Sequence, residues 1–446
     1  MSKPAPESST PSLRKKVVSG TAWNVGGQVV AQLWRLFANL VIAQLVAPWV
    51  FGLMLIVTVV MITVQMLSDV GLRDTVIHNS RGDEPDFLNT VWTIQIIRGF
   101  VLWGIVAAAA LPCAWIYDKP ILALLLPAVG VSAALRGFCS VSMFTADRHI
   151  LPHWTVITTL GSSIGGSIVS IVIAYFRRDV WALVIGQVVG NALFSIISYR
   201  FGNHRHRLTW DKDAAAAVSS FGRWVIPSST LTILLQRGEP IVLGGLMPLG
   251  VLGIYSQGAN LAKMWLTVYL QLTRSVMQPV YSKLRKDSIQ DARSKVRKLR
   301  FAICGACIAG IWVMIGLCYW FFDLLYKDVY LDAYVYCQIV SFGLTLRVAT
   351  DMGPVFQAHG LAHRHFWLVA VRVAATVLAM FLGYVFYDAF GLTEAYFGVV
   401  WGVALAPIVY YPVQSYMYRQ IHMWFPDVDT LGMVPAVALV AGALIL

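Results

Sequence analysis

Near the start of the chain, residues 19–45 read SGTAWNVGGQVVAQLWRLFANLVIAQL. About twenty predominantly apolar residues suffice to cross the hydrocarbon core of a bilayer, which is about 30 Å thick. The polar residues of this stretch recur every three or four positions, at Asn24, Gln28, Gln32, Arg35 and Asn39. This spacing keeps side chains on one face of an α-helix. The stretch therefore predicts a membrane-spanning helix that carries a polar stripe.

Apolar runs of similar length recur throughout the chain. Its 446 residues are 58% hydrophobic and only 13% charged, with a mean hydropathy of +0.68, whereas soluble domains are about 25% charged. We predict twelve complete spans, at residues 17–45, 48–72, 87–115, 119–143, 150–176, 179–201, 216–245, 248–282, 299–322, 332–358, 363–389 and 392–417. A thirteenth apolar stretch, 431–446, has 16 residues. At 1.5 Å per residue it is about 24 Å long, so we expect an incomplete span.

The positions of Lys and Arg predict the orientation. With a cytoplasmic N-terminus, 22 of the 34 basic residues fall on the cytoplasmic side and four on the outside. Membrane proteins carry such an excess on the cytoplasmic side. We therefore predict a membrane protein with its N-terminus in the cytoplasm. The net charge of +12 is explained by topology and requires no nucleic acid partner.

The spans fall into two sets of six. An offset of 201 positions aligns Ser19 with Ser220, Trp23 with Trp224 and Gly52 with Gly253. Because six spans separate the repeats, the halves share one orientation and are related by an axis along the membrane normal, and such transporters bind substrate between the halves. The fold class is all-α polytopic. The predicted units are a tail at 1–16, a lobe at 17–201, a cytoplasmic connector at 202–215, a second lobe at 216–417, and a loop with the truncated helix at 418–446.

Polar stripes recur in the second half. The eighth span carries Asn260, Lys263, Thr267, Gln271, Arg274 and Gln278, and the seventh carries Ser229, Thr232, Gln236 and Glu239. A central Arg facing hydrocarbon costs at least about 2.5 kcal/mol. Interhelical hydrogen bonding is one explanation for such residues, and a water-filled cavity is the one we favour. The candidate substrate-binding residues are Gln28, Gln32, Arg35, Arg237, Lys263, Gln271 and Arg274.

The predicted spans contain eight cations and three acids. This excess favours an anionic cargo, because the guanidinium fork suits phosphate and carboxylate groups, while amides suit sugar hydroxyls. The acids are Asp69, Glu239 and Asp351, the candidates for ion coupling. Arg347 and Asp351 are four residues apart and are expected to neutralise each other. Pro240 is expected to break the helix beside Glu239.

Several segments resemble a known family. They are SGTAWNVGGQVVAQ, FGLMLIVTVVMITVQMLSDVGLRDTVIHN, FLNTVWTIQIIRG and SFGRWVIPSSTLTILLQRGEPIVLGGLMPLGVLGIYSQGANLAK. They resemble the polysaccharide-transporter family of oligosaccharide-lipid flippases, within the multidrug/oligosaccharidyl-lipid/polysaccharide superfamily. The resemblance implies two six-helix bundles around a cleft. It also implies that an undecaprenyl-diphosphate-linked repeat unit is flipped outward across the bacterial inner membrane for exopolysaccharide, capsule or O-antigen synthesis, and that the protein associates with the biosynthetic enzymes.

Two other functions remain open. A multidrug exporter would share the fold, but exporters of cationic drugs need acidic sites. A membrane polysaccharide polymerase would show a long external loop or an acidic cluster, and every predicted external loop is about a dozen residues or shorter. We expect no catalytic residue, metal or cofactor. Cys304 and Cys307 have CxxC spacing without further ligands and are expected to pack inside a helix. The expected partners are a lipid-linked oligosaccharide and membrane lipid.

Overall fold

The structure is a computed structural model. It describes residues 13–433 except 69–70, 150, 203, 205, 278–279, 282–288, 353–354, 357–360 and 393. The regular elements of this part of the chain are all helices. They are α1 (Leu13–Leu45), α2 (Pro48–Leu67), α3 (Leu72–His78), α4 (Pro85–Ile116), α5 (Leu122–Gly137), α6 (Ser142–Arg148), α7 (Pro152–Arg177), α8 (Val180–Ser198), α9 (Lys212–Leu246), α10 (Leu249–Leu272), α11 (Ile289–Leu325), α12 (Ala333–Thr350), α13 (Ala362–Ala389) and α14 (Tyr396–Arg419). A π-helical turn, Thr273–Met277, follows α10, and a 3-10 turn, Asp328–Tyr330, precedes α12.

The long helices follow the order of the predicted spans. Eight of those described are long and apolar enough to cross a membrane: α2, α4, α7, α8, α11, α12, α13 and α14. The other long helices are α5, which has 16 residues, and α1, α9 and α10, which carry the polar stripes. The three helices with polar stripes are among those that line the cavity described below.

The helices pack as two bundles. In the first, α1 packs on α7, α7 on α8, α8 on α5 and α5 on α4; in the second, α10 packs on α12, and α12 also contacts α11 and α14, with α13 beside α14. The bundles meet where α2 contacts α9 and α10. Small residues permit close approach between helices in a membrane. Gly166 on α7 accordingly lies directly against Gly190 on α8.

The internal repeat is visible in the helix ends. Helices α1 and α9 end at Leu45 and Leu246, and α2 and α10 begin at Pro48 and Leu249. Both pairs differ by 201 positions, the offset predicted from the sequence. The two halves thus place the same turn between their first two long helices.

Two predicted helix boundaries are wrong, and a third prediction lies mostly outside the described residues. Helix α9 does not break at Pro240 but continues to Leu246, although proline removes one N–H from the helical ladder. The predicted span 248–282 is an α-helix only to Leu272, where the π-helical turn begins. Of the predicted thirteenth span, residues 431–433 belong to a helix that begins at 426, and residues 434–446 lie outside the described residues.

Candidate functional site

A cavity of about 880 Å³ lies between the two bundles. Residues of α1, α2, α5, α7 and α8 line it from the first bundle, and residues of α9 and α10, with Tyr326 just after α11, line it from the second. Its size falls within the range of about 300 to 1,000 Å³ that is usual for ligand pockets. The cavity is therefore large enough to hold a polar headgroup of several rings or phosphates.

Four cationic side chains reach the wall of this cavity: Arg35, Arg136, Arg237 and Lys263. The Arg35 Nε donates to the Ala31 carbonyl oxygen at 3.3 Å, within its own helix. The buried Nε of Arg237 has no hydrogen-bond partner among the described residues. No Asp or Glu belongs to the described part of the wall. The wall is therefore positively charged and offers donors to an anion.

Arg136 belongs to this set although it was not among the candidate binding residues predicted from the sequence. Its guanidinium lies over the Phe194 ring, 4.4 Å from the centroid, and its Nη1 lies 3.3 Å from the Asn191 Oδ1. Arg136 and Phe194 also border a second pocket of about 410 Å³ inside the first bundle. The cation–π contact with Phe194 holds the Arg136 guanidinium between the cavity and the second pocket.

The wall formed by α7 and α8 carries neutral polar groups. These are Thr159, Ser162, Ser163, Ser167, Ser170, Gln187 and Asn191. These residues were not among the candidates predicted from the sequence, because Ser and Thr are common in membrane helices, where they hydrogen-bond between helices. The repeated hydroxyls of Thr159–Ser170 at spacings of three and four were the available signal. The cavity thus combines cations with hydroxyl and amide groups.

Hydrogen bonds join the two bundles at one end of the cavity. The Asn39 Nδ2 donates to the Gln257 Oε1 at 2.8 Å, and the Gln44 Nε2 donates to the Leu325 carbonyl oxygen at 2.7 Å. The Tyr330 hydroxyl donates to the Val46 carbonyl oxygen at 2.9 Å. These contacts lie near the C-terminal end of α1, and Tyr326, four residues before Tyr330, belongs to the cavity wall.

The structure brings together some of the sequence-predicted binding residues and not others. Gln32, Arg35, Arg237 and Lys263 line the cavity. Gln28 is exposed and Gln271 is half-buried, and neither belongs to the wall. Arg274 lies in the π-helical turn, so the α-helical spacing that puts it in one stripe with Lys263 no longer applies. The Arg274 side chain lies outside the described residues.

The three acids have different environments. Glu239 Oε2 lies 3.5 Å from Lys263 Nζ, beside the cavity. Asp351 Oδ1 lies 2.8 Å from Arg372 Nη2, inside the second bundle and away from the cavity wall. Asp69 lies outside the described residues.

The expectation that Asp351 pairs with Arg347 is corrected by this geometry. Asp351 is the C-cap of α12 and has extended backbone angles, with φ of −76° and ψ of 125°. It is no longer on the helical face of Arg347, and its partner comes from α13 instead. The spacing of four residues predicts an ion pair only while the helix continues.

A family model described as "Polysaccharide biosynthesis protein" matches residues 41–333. The chain belongs to this family. The lipopolysaccharide biosynthesis protein WzxC of Escherichia coli (strain K12) is 21% identical over 279 residues, which are 62% of this chain and 56% of that protein. The chain thus matches a little over half the length of this relative. The family predicted from the sequence is confirmed.

Solved structures share the fold. The inward closed conformation of the lipid II flippase MurJ has a TM-score of 0.72 and 13% identity, covering 95% of this chain and 92% of that one. An inward-facing multidrug resistance MATE family transporter has a TM-score of 0.63 and 15% identity, covering 90% and 95%. The predicted fold class, a membrane protein of two helical bundles, is confirmed.

Proposed function

We propose that this protein moves a lipid-linked oligosaccharide, joined to its undecaprenyl lipid by a diphosphate, across the bacterial inner membrane. The observation that carries the proposal is the composition of the cavity wall. Arg35, Arg136, Arg237 and Lys263 suit a diphosphate, because charge-assisted hydrogen bonds from Arg and Lys to phosphate are strong. The hydroxyls and amides of α7 and α8 suit a sugar. WzxC is named for lipopolysaccharide biosynthesis and MurJ as a lipid II flippase, which supports this class of cargo.

The orientation is part of the proposal. With the N-terminus in the cytoplasm, as the distribution of basic residues predicts, the ends of α1 and α9 lie at the outer surface. The contacts of Gln44 and Tyr330 then close the cavity on the outside. Cargo made in the cytoplasm would enter from the inner side and leave after these contacts separate. The product would serve exopolysaccharide, capsule or O-antigen synthesis.

A multidrug exporter is the alternative, because MATE family transporters share the fold. The described wall contains four cations and no acid. A cationic drug in such a cavity would meet like charges, which is unfavourable at short range. The anionic cargo therefore fits better.

Export of surface polysaccharide in a strain without its native transporter tests the proposal. We expect the triple variant Arg35→Gln, Arg237→Gln, Lys263→Gln to lose most export, because Gln keeps a hydrogen-bonding group and removes the charge. The double variant Arg35→Lys, Arg237→Lys should export more than the triple variant but less than the wild-type protein, because Lys lacks the planar fork of Arg. Arg177→Gln is the matched control, since Arg177 is an exposed cation that pairs with Asp179 at the end of α7. Full export by the triple variant, at normal protein level, would contradict the proposal.

A further inference from the structure

Two ion pairs among the described residues are almost fully buried inside the second bundle. Arg372 and Asp351 are 2.8 Å apart with side chains 6% and 12% exposed, and Gln414 Oε1 also accepts from Arg372 at 2.8 and 3.0 Å. Arg300 and Asp429 are 2.8 Å apart and 2% and 3% exposed, and the Tyr411 hydroxyl also donates to Asp429. Removing one partner of such a pair leaves a buried charge without compensation. These two pairs are built to stay together.

The pair of Lys263 and Glu239 is different. Its N–O distance is 3.5 Å, at the limit of a hydrogen bond, and the Lys263 side chain is 39% exposed while that of Glu239 is 13% exposed. Lys263 belongs to the cavity wall and Glu239 does not. The cation is therefore accessible from the cavity while its counterion lies behind it. A lysine ammonium also adapts to a new partner more easily than a guanidinium fork, because it is a compact charge on a flexible stem.

The surroundings of Lys263 complete the argument. Arg35 from α1 and Arg237 from α9 line the same cavity, and Arg237, two residues before Glu239, has a buried Nε without a partner among the described residues. An anion that enters the cavity meets several donors at once. At Lys263 it competes with Glu239, the carboxylate that already pairs with this cation.

We propose that Glu239 is an exchangeable counterion that holds Lys263 until an anionic group of the cargo replaces it. This inference rests on the proposed function and deepens it. A diphosphate carries several negative charges and can bridge Lys263 to the neighbouring arginines, so it can replace one carboxylate. A singly charged anion makes fewer ionic contacts with these cations, and these do not compensate for the loss of the contact between Lys263 and Glu239. Glu239 thereby determines specificity, because only a ligand with several negative charges can replace it at Lys263.

The binding of an isoprenyl diphosphate tests this role. The probe is farnesyl diphosphate, titrated against the purified full-length protein in detergent, with farnesol as the uncharged comparison. We expect Glu239→Gln to bind the diphosphate about tenfold more tightly, since couplings between binding events are usually about five- to 150-fold and Lys263 is partly exposed. The affinity for farnesol should not change. A structural role alone would leave the affinity unchanged or weaken it.

A double-variant comparison assigns the effect to Lys263. In a Lys263→Gln background, Glu239→Gln should no longer tighten binding, because the cation for which they compete is gone. Glu394→Gln removes an exposed carboxylate outside the cavity and should have no effect. If Glu239→Gln does not fold, Glu239→Asp shortens the side chain by one methylene and should also tighten binding.

The outcomes separate the two proposals. Unchanged or weaker diphosphate binding by Glu239→Gln, or equal tightening with and without Lys263, would overturn the counterion role. A wild-type protein that binds farnesol as tightly as farnesyl diphosphate would instead contradict the cationic cavity on which the proposed function depends.

Discussion

Gly52 and Gly253 pack against each other where the two bundles meet. A methyl group on Gly52 would overlap the Leu249 carbonyl oxygen, and one on Gly253 would overlap the Pro48 carbonyl oxygen. Gly52 and Gly253 are 201 positions apart, and so are Pro48 and Leu249. The contact is therefore reciprocal, as in an interface formed around a two-fold axis. The axis that relates the repeats passes close to this pair.

The glycine pair gives the first prediction. Gly52→Ala or Gly253→Ala should lower the free energy of unfolding by about 1 to 3 kcal/mol, the usual cost of overpacking, because backbone oxygens cannot move aside. Gly250→Ala on the same helix has open space around the added methyl and should be neutral. The measurement is the unfolding temperature in detergent, followed by tryptophan fluorescence. Equal temperatures for Gly253→Ala and Gly250→Ala would show that the helices separate easily.

The pair of Asp351 and Arg372 gives the second prediction. Asp351→Asn leaves Arg372 buried and without its carboxylate, so stability should fall by about 3 to 5 kcal/mol. Asp388→Asn, at the exposed end of α13, should change it by less than about 0.5 kcal/mol.

Thermal unfolding of the two variants, combined with export in cells, checks this role. If Asp351→Asn were as stable as the wild-type protein but lost export, Asp351 would belong to ion coupling and not to the support of α12. We expect Asp351→Asn to be less stable than the wild-type protein, and its export to fall only in proportion to the amount of folded protein that remains.

The connector gives a prediction about pH. His206 lies outside the spans, where its Nε2 accepts from the Val141 backbone N–H at 3.3 Å. Burial, and secondarily the charge of the nearby His204, lowers the pKa of His206 from 6.5 to about 4. The unfolded chain therefore binds more protons than the folded one between about pH 6.5 and pH 4. The resulting destabilisation is absent above this window, grows as the pH falls through it, and is complete below about pH 4.

The expected size is about 1 kcal/mol, discounted because His206 is only half-buried. Unfolding temperatures measured at intervals from pH 7.5 to pH 4 should decline less steeply for His206→Gln than for the wild-type protein. Identical slopes for both proteins would mean that the acid sensitivity arises from other groups.

Local sequence patterns predicted the helices and part of the site. The apolar runs located the spans, and the stripes of α1 and α10 indicated Arg35 and Lys263, which both line the cavity. The features that the sequence did not predict have a common cause. Each depends on contacts between segments that are far apart in the chain. The partner of Asp351 is Arg372 on another helix, and the position of Arg136 at the cavity follows from how α5 packs against α8. Pro240 was expected to end a helix, but tertiary packing can maintain helical structure where local propensity is unfavourable.

The proposed closure of the cavity by Gln44 and Tyr330 gives the last prediction. Tyr330→Phe removes the hydrogen bond to the Val46 carbonyl oxygen, and Gln44→Leu removes the one to the Leu325 carbonyl oxygen. Each bond contributes about 1 kcal/mol net, so the two changes together should favour the open arrangement about tenfold or more. Tyr416→Phe, at an exposed position on α14, is the control.

Labelling of a cysteine placed in the cavity measures this opening. The six native cysteines would first be replaced, and Ser167→Cys then reports from the α7 wall. If the closed end faces outward, an impermeant thiol reagent added to intact cells should modify this cysteine slowly, and faster when Tyr330→Phe and Gln44→Leu are present. The same reagent applied to inverted vesicles should react quickly with every variant. In the protein without these two changes, the reagent can reach Ser167→Cys only through the end of the cavity opposite Gln44 and Tyr330. Fast labelling of intact cells by that protein would therefore place the open end outside. This result would reverse the proposed orientation.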